Sequence, residues 1–172
     1  MLWHRVSRPE TPLMRMIETV TSPLEMERLA AGLSTFAKAG LVVLLRGELG
    51  AGKSVFARGF IRALAQGAED FDIPSPTFTL AQIYDDTRVP AVHADLYRLT
   101  APGEAEELGL DDLLRTHIVL IEWPERLGSR EFENSLTVII GGSGGDRSVE
   151  LKAEGAWTAI LERNLQIAGF LK

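Results

Sequence analysis

The residues from Leu41 to Leu64, LVVLLRGELGAGKSVFARGFIRAL, restrict the possible folds of this chain more than any other stretch. Leu41 to Leu45 form an apolar run too short for a useful helix and rich in Val and Leu, the pattern of a buried strand. From Lys53 the period becomes helical, with Val55, Phe56, Gly59, Phe60, Ala63 and Leu64 on one side. Between strand and helix lies Gly47, Glu48, Leu49, Gly50, Ala51, Gly52, Lys53 and Ser54, which fits the phosphate-loop pattern G-x-x-x-x-G-K-[ST]. The three glycines let the backbone turn successive N–H groups inward, and the helix that follows adds the positive end of its dipole. Lys53 brings a full charge to the β- and γ-phosphates, and the Ser54 hydroxyl is placed to ligate Mg²⁺. The expectation is an α/β nucleotide-binding fold.

With 172 residues, of which 45% are hydrophobic and 24% charged, the chain is long enough to bury a core without staples. It holds no cysteine, which excludes disulfides and thiolate metal sites. A net charge of -6 argues against a broad electrostatic grip on nucleic acid, so any nucleic acid is expected to be held through a partner. No apolar run approaches the roughly 18 residues of a membrane span, and the N-terminus lacks a signal-like apolar core. A cytoplasmic protein without a membrane role is expected.

Met1 to about Arg15 reads as a flexible lead, with Met14 and Met16 at its end marking an alternative start, and residues 16–172 as one domain. Ile17 to Val20 suits a short strand. Ser22, Pro23 and Glu25 give a helix start: a Ser cap, Pro at the first position and Glu three residues after the cap. Leu24, Leu29, Leu33 and Phe36 supply its apolar face and Gly40 its end. Beyond the phosphate-loop helix, Pro74 and Pro76 preclude helix and set up an extended segment from Thr77 to Tyr84. Asp85, Asp86 and Thr87 make a turn, and Val89 to Ala94 returns as the second strand of an antiparallel hairpin. The acidic stretch of Glu104, Glu106, Glu107, Asp111 and Asp112 reads as a solvated, helical surface. Leu136 to Ile140 and Ser148 to Ala153 form a hairpin around a glycine-rich turn that lacks the Lys-Ser ending of a phosphate loop, and Ala156 to Ala168 closes the chain as a helix.

Two further places carry chemistry. In HADLYRL, His93 and Asp95 are two apart on a strand and so share a face that could point at the phosphates; a helix cap and a hydrogen-bonded structural histidine are the plainer roles. The apolar run Ile118 to Ile121 ends in Glu122, where a strand beside the phosphate-loop strand would carry its magnesium-associated acid. Trp123 follows directly; plain core packing is one role for it, and its place after the acid also makes it a candidate to pack near the site or report on nucleotide.

Taken together, GELGAGKS, SPTFTL, HADLYRL and IEWPERL, in this order and spacing, resemble the TsaE (YjeE) family of small P-loop ATPases of bacterial tRNA threonylcarbamoyladenosine synthesis, from about Thr19 to Ala153. The resemblance implies a single-domain P-loop NTPase fold: a mixed, mostly parallel sheet with antiparallel hairpins and helices on both faces. It implies slow, Mg²⁺-dependent ATP hydrolysis within an assembly with the TsaD and TsaB proteins, which modify the adenosine next to the tRNA anticodon. Carried over by position, Lys53 and Ser54 take the phosphate and metal roles, Glu122 the metal-associated acid, and Asp95 a carboxylate that orders water or metal. Thr77 would sense the γ-phosphate, with Thr79 as the alternative, and the segment around Thr21 and Ser22 would lie near the base. A small-molecule phosphotransferase is the competing enzyme class, but Arg58, Arg62 and Arg98 are too scattered to compose an arginine-rich lid. A guanine-nucleotide switch would need an N-K-x-D segment, which the chain lacks.

Overall fold

The computed structural model describes residues 14–66, 73–74, 76, 79–142 and 145–167. In chain order the elements are β1 (Met14–Val20), α1 (Pro23–Ser34), β2 (Val42–Arg46), α2 (Lys53–Leu64), β3 (Ala81–Tyr84), β4 (Ala91–Asp95), α3 (Leu110–Leu114), β5 (Ile118–Glu122), β6 (Ser135–Gly141), β7 (Arg147–Ala153) and α4 (Ala156–Ile167), with 3₁₀ turns at Pro102–Leu108 and Pro124–Leu127. The strands form one sheet in the order β1-β7-β6-β2-β5-β4-β3. Its centre is parallel: β2 lies between β5 and β6, and β4 pairs with β5. Its margins are antiparallel, β3 against β4 on one side and β6, β7 and β1 on the other. The sheet is therefore mixed, as expected, with parallel pairing confined to the four central strands.

The apolar run before the phosphate loop follows from this position. As the central strand β2 is covered on both faces, and alternate residues go to opposite sides. Val43 and Leu45 pack with Phe56, Phe60, Leu64 and Trp157 under α1, α2 and α4. Val42 and Leu44 pack with Val92, Val119, Ile121, Leu110 and Leu127 under α3 and the two 3₁₀ turns.

The helix α1 begins as expected, the Glu25 amide donating to Ser22 Oγ at 3.2 Å. The Glu25 carboxylate, however, reaches one residue further back than a capping box requires, accepting from the Thr21 amide at 2.7 Å and the Thr21 hydroxyl at 2.8 Å. The buried face is Met26, Ala30 and Leu33, whereas Leu24 is 55% exposed. Leu24 sits about 200° around the helix from Met26, on the far side. The helix ends at Ser34, six residues before the expected stop; Gly40 (φ 84°) serves instead to turn the chain into β2.

Gly59 lies where α2 crosses α1. A Cβ there would meet Glu27 Cα at 2.6 Å and the Glu27 carbonyl at 2.9 Å, backbone atoms that no rotamer change can move. Gly59→Ala is expected to gain about 1 kcal/mol of helix propensity and lose about 1–3 kcal/mol to overpacking, a net destabilisation. Thermal unfolding should show a fall in Tm of a few degrees; an unchanged or higher Tm would mean that the helices part easily.

Within the segment expected to be extended from Thr77 to Tyr84, the described Thr79 and Leu80 are not strand and β3 begins at Ala81. Leu80 has φ 62° and its amide donates to the Pro76 carbonyl at 2.8 Å, so the chain turns immediately before β3, and Thr79 is exposed in that turn. Thr77 lies outside the described residues. The hairpin itself is present, with Ala81 opposite Ala94 and Tyr84 opposite Ala91. Its second strand starts at Ala91 because Pro90 precedes it with no N–H for the ladder. The acidic stretch is surface as expected, but mostly as a 3₁₀ turn, with Ala105 and Leu110 its buried anchors. Of the expected flexible lead, Met14 and Arg15 instead belong to β1, paired with Ala153 and Lys152; residues 1–13 lie outside the described residues. Among the described residues no helix is long and apolar enough to cross a membrane.

Candidate active site

The loop Gly47 to Ser54 joins the carboxyl end of β2 to the amino end of α2, the edge of a parallel sheet at which ligands bind. Gly47, Gly50 and Gly52 all have positive φ, at 147°, 76° and 113°. Gly47 is constrained twice, since a Cβ would also lie 2.4 Å from the Ile140 carbonyl of β6. The loop is thus pressed against the neighbouring strand at its first residue. Lys53 is buried, and its Nζ donates to the carbonyls of Gly47 at 2.7 Å and Glu48 at 2.8 Å. An ammonium has three donors, so two fix the loop and one remains for the cradle. Trp123 covers the ammonium, its ring centroid 3.9 Å from Nζ, and Tyr97 packs on Trp123 with ring centroids 4.9 Å apart. Burial pulls the Lys53 ammonium below the ordinary lysine range, opposed by the charges of Glu122, Glu125, Asp95 and Glu48.

The carboxylates come from the ends of neighbouring parallel strands. The register of β4 and β5 sets Asp95 opposite Glu122. Glu122, 2% exposed, accepts from Ser54 Oγ on Oε2 at 3.1 Å, and its Oε1 lies 2.8 Å from His93 Nε2. Asp95 Oδ1 accepts the Tyr97 amide at 3.1 Å, which fixes the carboxylate at the strand's end. Trp123 itself has φ 59°, a left-handed conformation that costs a non-glycine residue about 1–2 kcal/mol. That turn directly after β5 swings its ring over Lys53.

A hollow of about 350 Å³ is lined by Leu49, Gly50, Gly52, Lys53, Ser54, Val55, Asp95, Tyr97, Arg98, Glu122 and Trp123. It brings together the glycine loop, two cations (Lys53 and Arg98), the hydroxyls of Ser54 and Tyr97, and two carboxylates. Those oxygen donors suit a hard cation such as Mg²⁺, which is held by one or two protein groups together with phosphates rather than by an all-protein cage. Among the described residues there is no group of three or more His, Asp or Glu side chains arranged to hold a metal by themselves. A second hollow of about 140 Å³ on the other side of the loop is lined by Val20, Ser22, Pro23, Met26, Gly50, Ala51, Gly52, Val55, Gly145 and Arg147. Its apolar walls beside the phosphate loop suit a nucleotide base. A larger hollow of about 700 Å³ lies at the amino ends of β2 and β6, lined by Gly40, Val42, Asn134, Glu106, Asp111 and Glu133 among others. That is the wrong end of the sheet for phosphate and is rimmed with carboxylates.

Of the residues picked from the sequence, the structure gathers Lys53, Ser54, Asp95, Glu122 and Trp123 around one hollow, with Glu48 at the loop through its carbonyl and Ala51 in the second hollow. Thr21 does not line either; its amide and hydroxyl are taken by Glu25, while its neighbours Val20 and Ser22 face the second hollow. Tyr97, Gly145 and Arg147 escaped sequence reasoning. The Arg147 Nε donates to the Ala51 carbonyl at 3.3 Å, a contact across 96 residues that no local pattern signals. Arg98 reaches the site, whereas Arg62 pairs with Glu27 on the surface of the helical layer.

A family model described as "Threonylcarbamoyl adenosine biosynthesis protein TsaE" matches residues 20–149. Curated relatives carrying the name tRNA threonylcarbamoyladenosine biosynthesis protein TsaE include one from Rickettsia conorii, 41% identical over 63% of this chain and 61% of its own length. The match thus spans about three fifths of that relative. Another, from Bacillus subtilis, is 35% identical over 78% of this chain and 83% of its own. The crystal structure of Bacillus subtilis YdiB superposes with a TM-score of 0.76 at 26% identity, covering 91% of this chain and 98% of that one.

Proposed function

The chain belongs to the TsaE family, and on that premise we propose that it is a Mg²⁺-dependent ATPase that acts with the TsaD and TsaB proteins in threonylcarbamoylation of the tRNA adenosine next to the anticodon. The observation that carries the ATPase reading is the contact of Ser54 Oγ with Glu122 Oε2 at 3.1 Å beneath the Lys53 cradle. It joins the hydroxyl and the acid that a P-loop enzyme needs, from positions 68 residues apart.

In this reading ATP lies with its phosphates in the hollow lined by Lys53, Ser54 and Glu122 and its base against Val20, Ser22 and Met26. The amides of the loop and the Lys53 ammonium receive charge that develops on the phosphoryl oxygens. Ser54 and Glu122 would hold Mg²⁺, whose chemistry there would be neutralisation of phosphate charge. Asp95, held by the Tyr97 amide, orients the attacking water and accepts its proton. Trp123 and Tyr97 wall the site and lower its exposure to bulk solvent. The segment before β3, in which Thr77 stands, responds to the γ-phosphate, and its state gates association with TsaD and TsaB. With a net charge of -6 the chain meets tRNA through those partners.

The test is steady-state phosphate release from ATP by the purified chain, alone and with TsaD and TsaB from the same source. A slow rate that rises when the pair is added is the expected result. A rate indifferent to the pair would overturn the partner assignment, and transfer of phosphate to an acceptor other than water would move the chain to the phosphotransferase class.

A further inference from the structure

We propose that His93 is a positioning residue that clamps the Glu122 carboxylate, so that this acid and the Ser54 hydroxyl present themselves together to Mg²⁺. The proposal rests on the ATPase reading above and adds a residue to that site.

The strand pattern brings the three side chains together. On β4 and β5, Ala91, Ile118 and Leu120 belong to the core under α2, so His93, Asp95 and Glu122 alternate onto that same face. There they meet Ser54, in the first turn of α2. His93 is completely buried. Its Nε2 lies 2.8 Å from Glu122 Oε1, and its Nδ1 has no hydrogen-bond partner among the described residues. A carboxylate only accepts, so Nε2 carries the hydrogen of this bond. The one hydrogen bond this buried ring makes among the described residues is therefore directed at the acid of the site. A histidine serving only the core would gain nothing from leaving one nitrogen unsatisfied, and an apolar side chain would fill the space at lower cost.

The consequence for Glu122 is that each oxygen has its own donor, His93 on Oε1 and Ser54 on Oε2. Rotation about the last side-chain bond would break both contacts at once. The carboxylate keeps lone pairs for a metal or its water, since its two oxygens offer about four acceptor positions. Groups that orient metal-associated side chains in this way typically account for about 10–100-fold in metal affinity or activity.

The experiment measures Mn²⁺ binding by electron paramagnetic resonance with a non-hydrolysable ATP analogue, for wild type, His93→Leu and His93→Gln. Analogue affinity in EDTA and Tm are measured alongside. Glutamine keeps an N–H at the reach of Nε2, and leucine has none. The expected result is Mn²⁺ affinity about 10–100-fold weaker in His93→Leu and largely recovered in His93→Gln, with metal-free analogue affinity unchanged within about twofold. A folded His93→Leu that binds Mn²⁺ as wild type does would overturn the proposal. If His93→Leu fails to fold, His93→Met is read in its place, and loss of the fold in both would assign His93 to the core and also overturn it. Wild-type protein that holds no Mn²⁺ beyond that of the analogue alone would instead overturn the ATPase reading.

Discussion

Lys53→Ala is expected to lower ATP turnover by on the order of 10²–10³-fold, the usual consequence of deleting one preorganised donor to developing charge. The ground-state structure shows why so much depends on this one side chain. Its Nζ holds two successive carbonyls, those of Gly47 and Glu48, so alanine removes both the charge and the brace that shapes the loop. Trp123 loses the cation over which its ring is packed, an interaction worth about 0.5–2 kcal/mol. Its fluorescence should shift in the nucleotide-free variant. Lys53→Arg is expected to fail similarly, because a planar guanidinium cannot place one nitrogen within 2.8 Å of two carbonyls and still face the cradle. The check is phosphate release with far-UV circular dichroism as the folding control. Turnover within threefold of wild type in a folded Lys53→Ala would remove this residue, and with it the site, from the chemistry.

What was legible in the sequence was what depends on neighbours along the chain. The apolar run of Leu41 to Leu45, the change of period at Lys53 and the glycines between them are short-range signals, and the strand, loop and helix stand where those signals put them. Glu122 was legible because a strand ending in an acid has a defined place once a phosphate loop is present; β5 does lie beside β2. The contact between His93 and Glu122 was not legible, since it requires knowing that β4 neighbours β5 and in which register. Periodicity also misread Leu24 and the stretch before β3. In the first case the helix buries the face centred on Met26 and Ala30 instead, a choice made by the packing of α1 on α2. In the second, alternation of residue types suggested a strand where Leu80 in fact adopts a left-handed turn. Gly47 illustrates the general limit: the motif supplied the glycine, yet its second reason, the carbonyl of Ile140 in β6, comes from far along the chain.

The two carboxylates at the site should separate by what their loss does. Glu122 bonds the Ser54 hydroxyl and His93, whereas Asp95 is bonded by the Tyr97 amide. Glu122→Gln keeps an oxygen acceptor for one of its two partners but loses the charge that faces Mg²⁺, so it is expected to raise the Mg²⁺ concentration required for half-maximal turnover by about 10–100-fold. Asp95→Asn keeps the size and an acceptor for the Tyr97 amide but loses the basic oxygen, so kcat should fall by about 10²-fold or more while the Mg²⁺ requirement stays near wild type. Both variants are isosteric and should fold, which melting curves would verify. Titrating Mg²⁺ at saturating ATP reads the two quantities from one data set. An interchange of the two phenotypes would exchange the roles of the acids. Wild-type kcat and Mg²⁺ requirement in both would mean that neither carboxylate takes part, and the contact between Ser54 and Glu122 would then be a structural bond between the first turn of α2 and the end of β5.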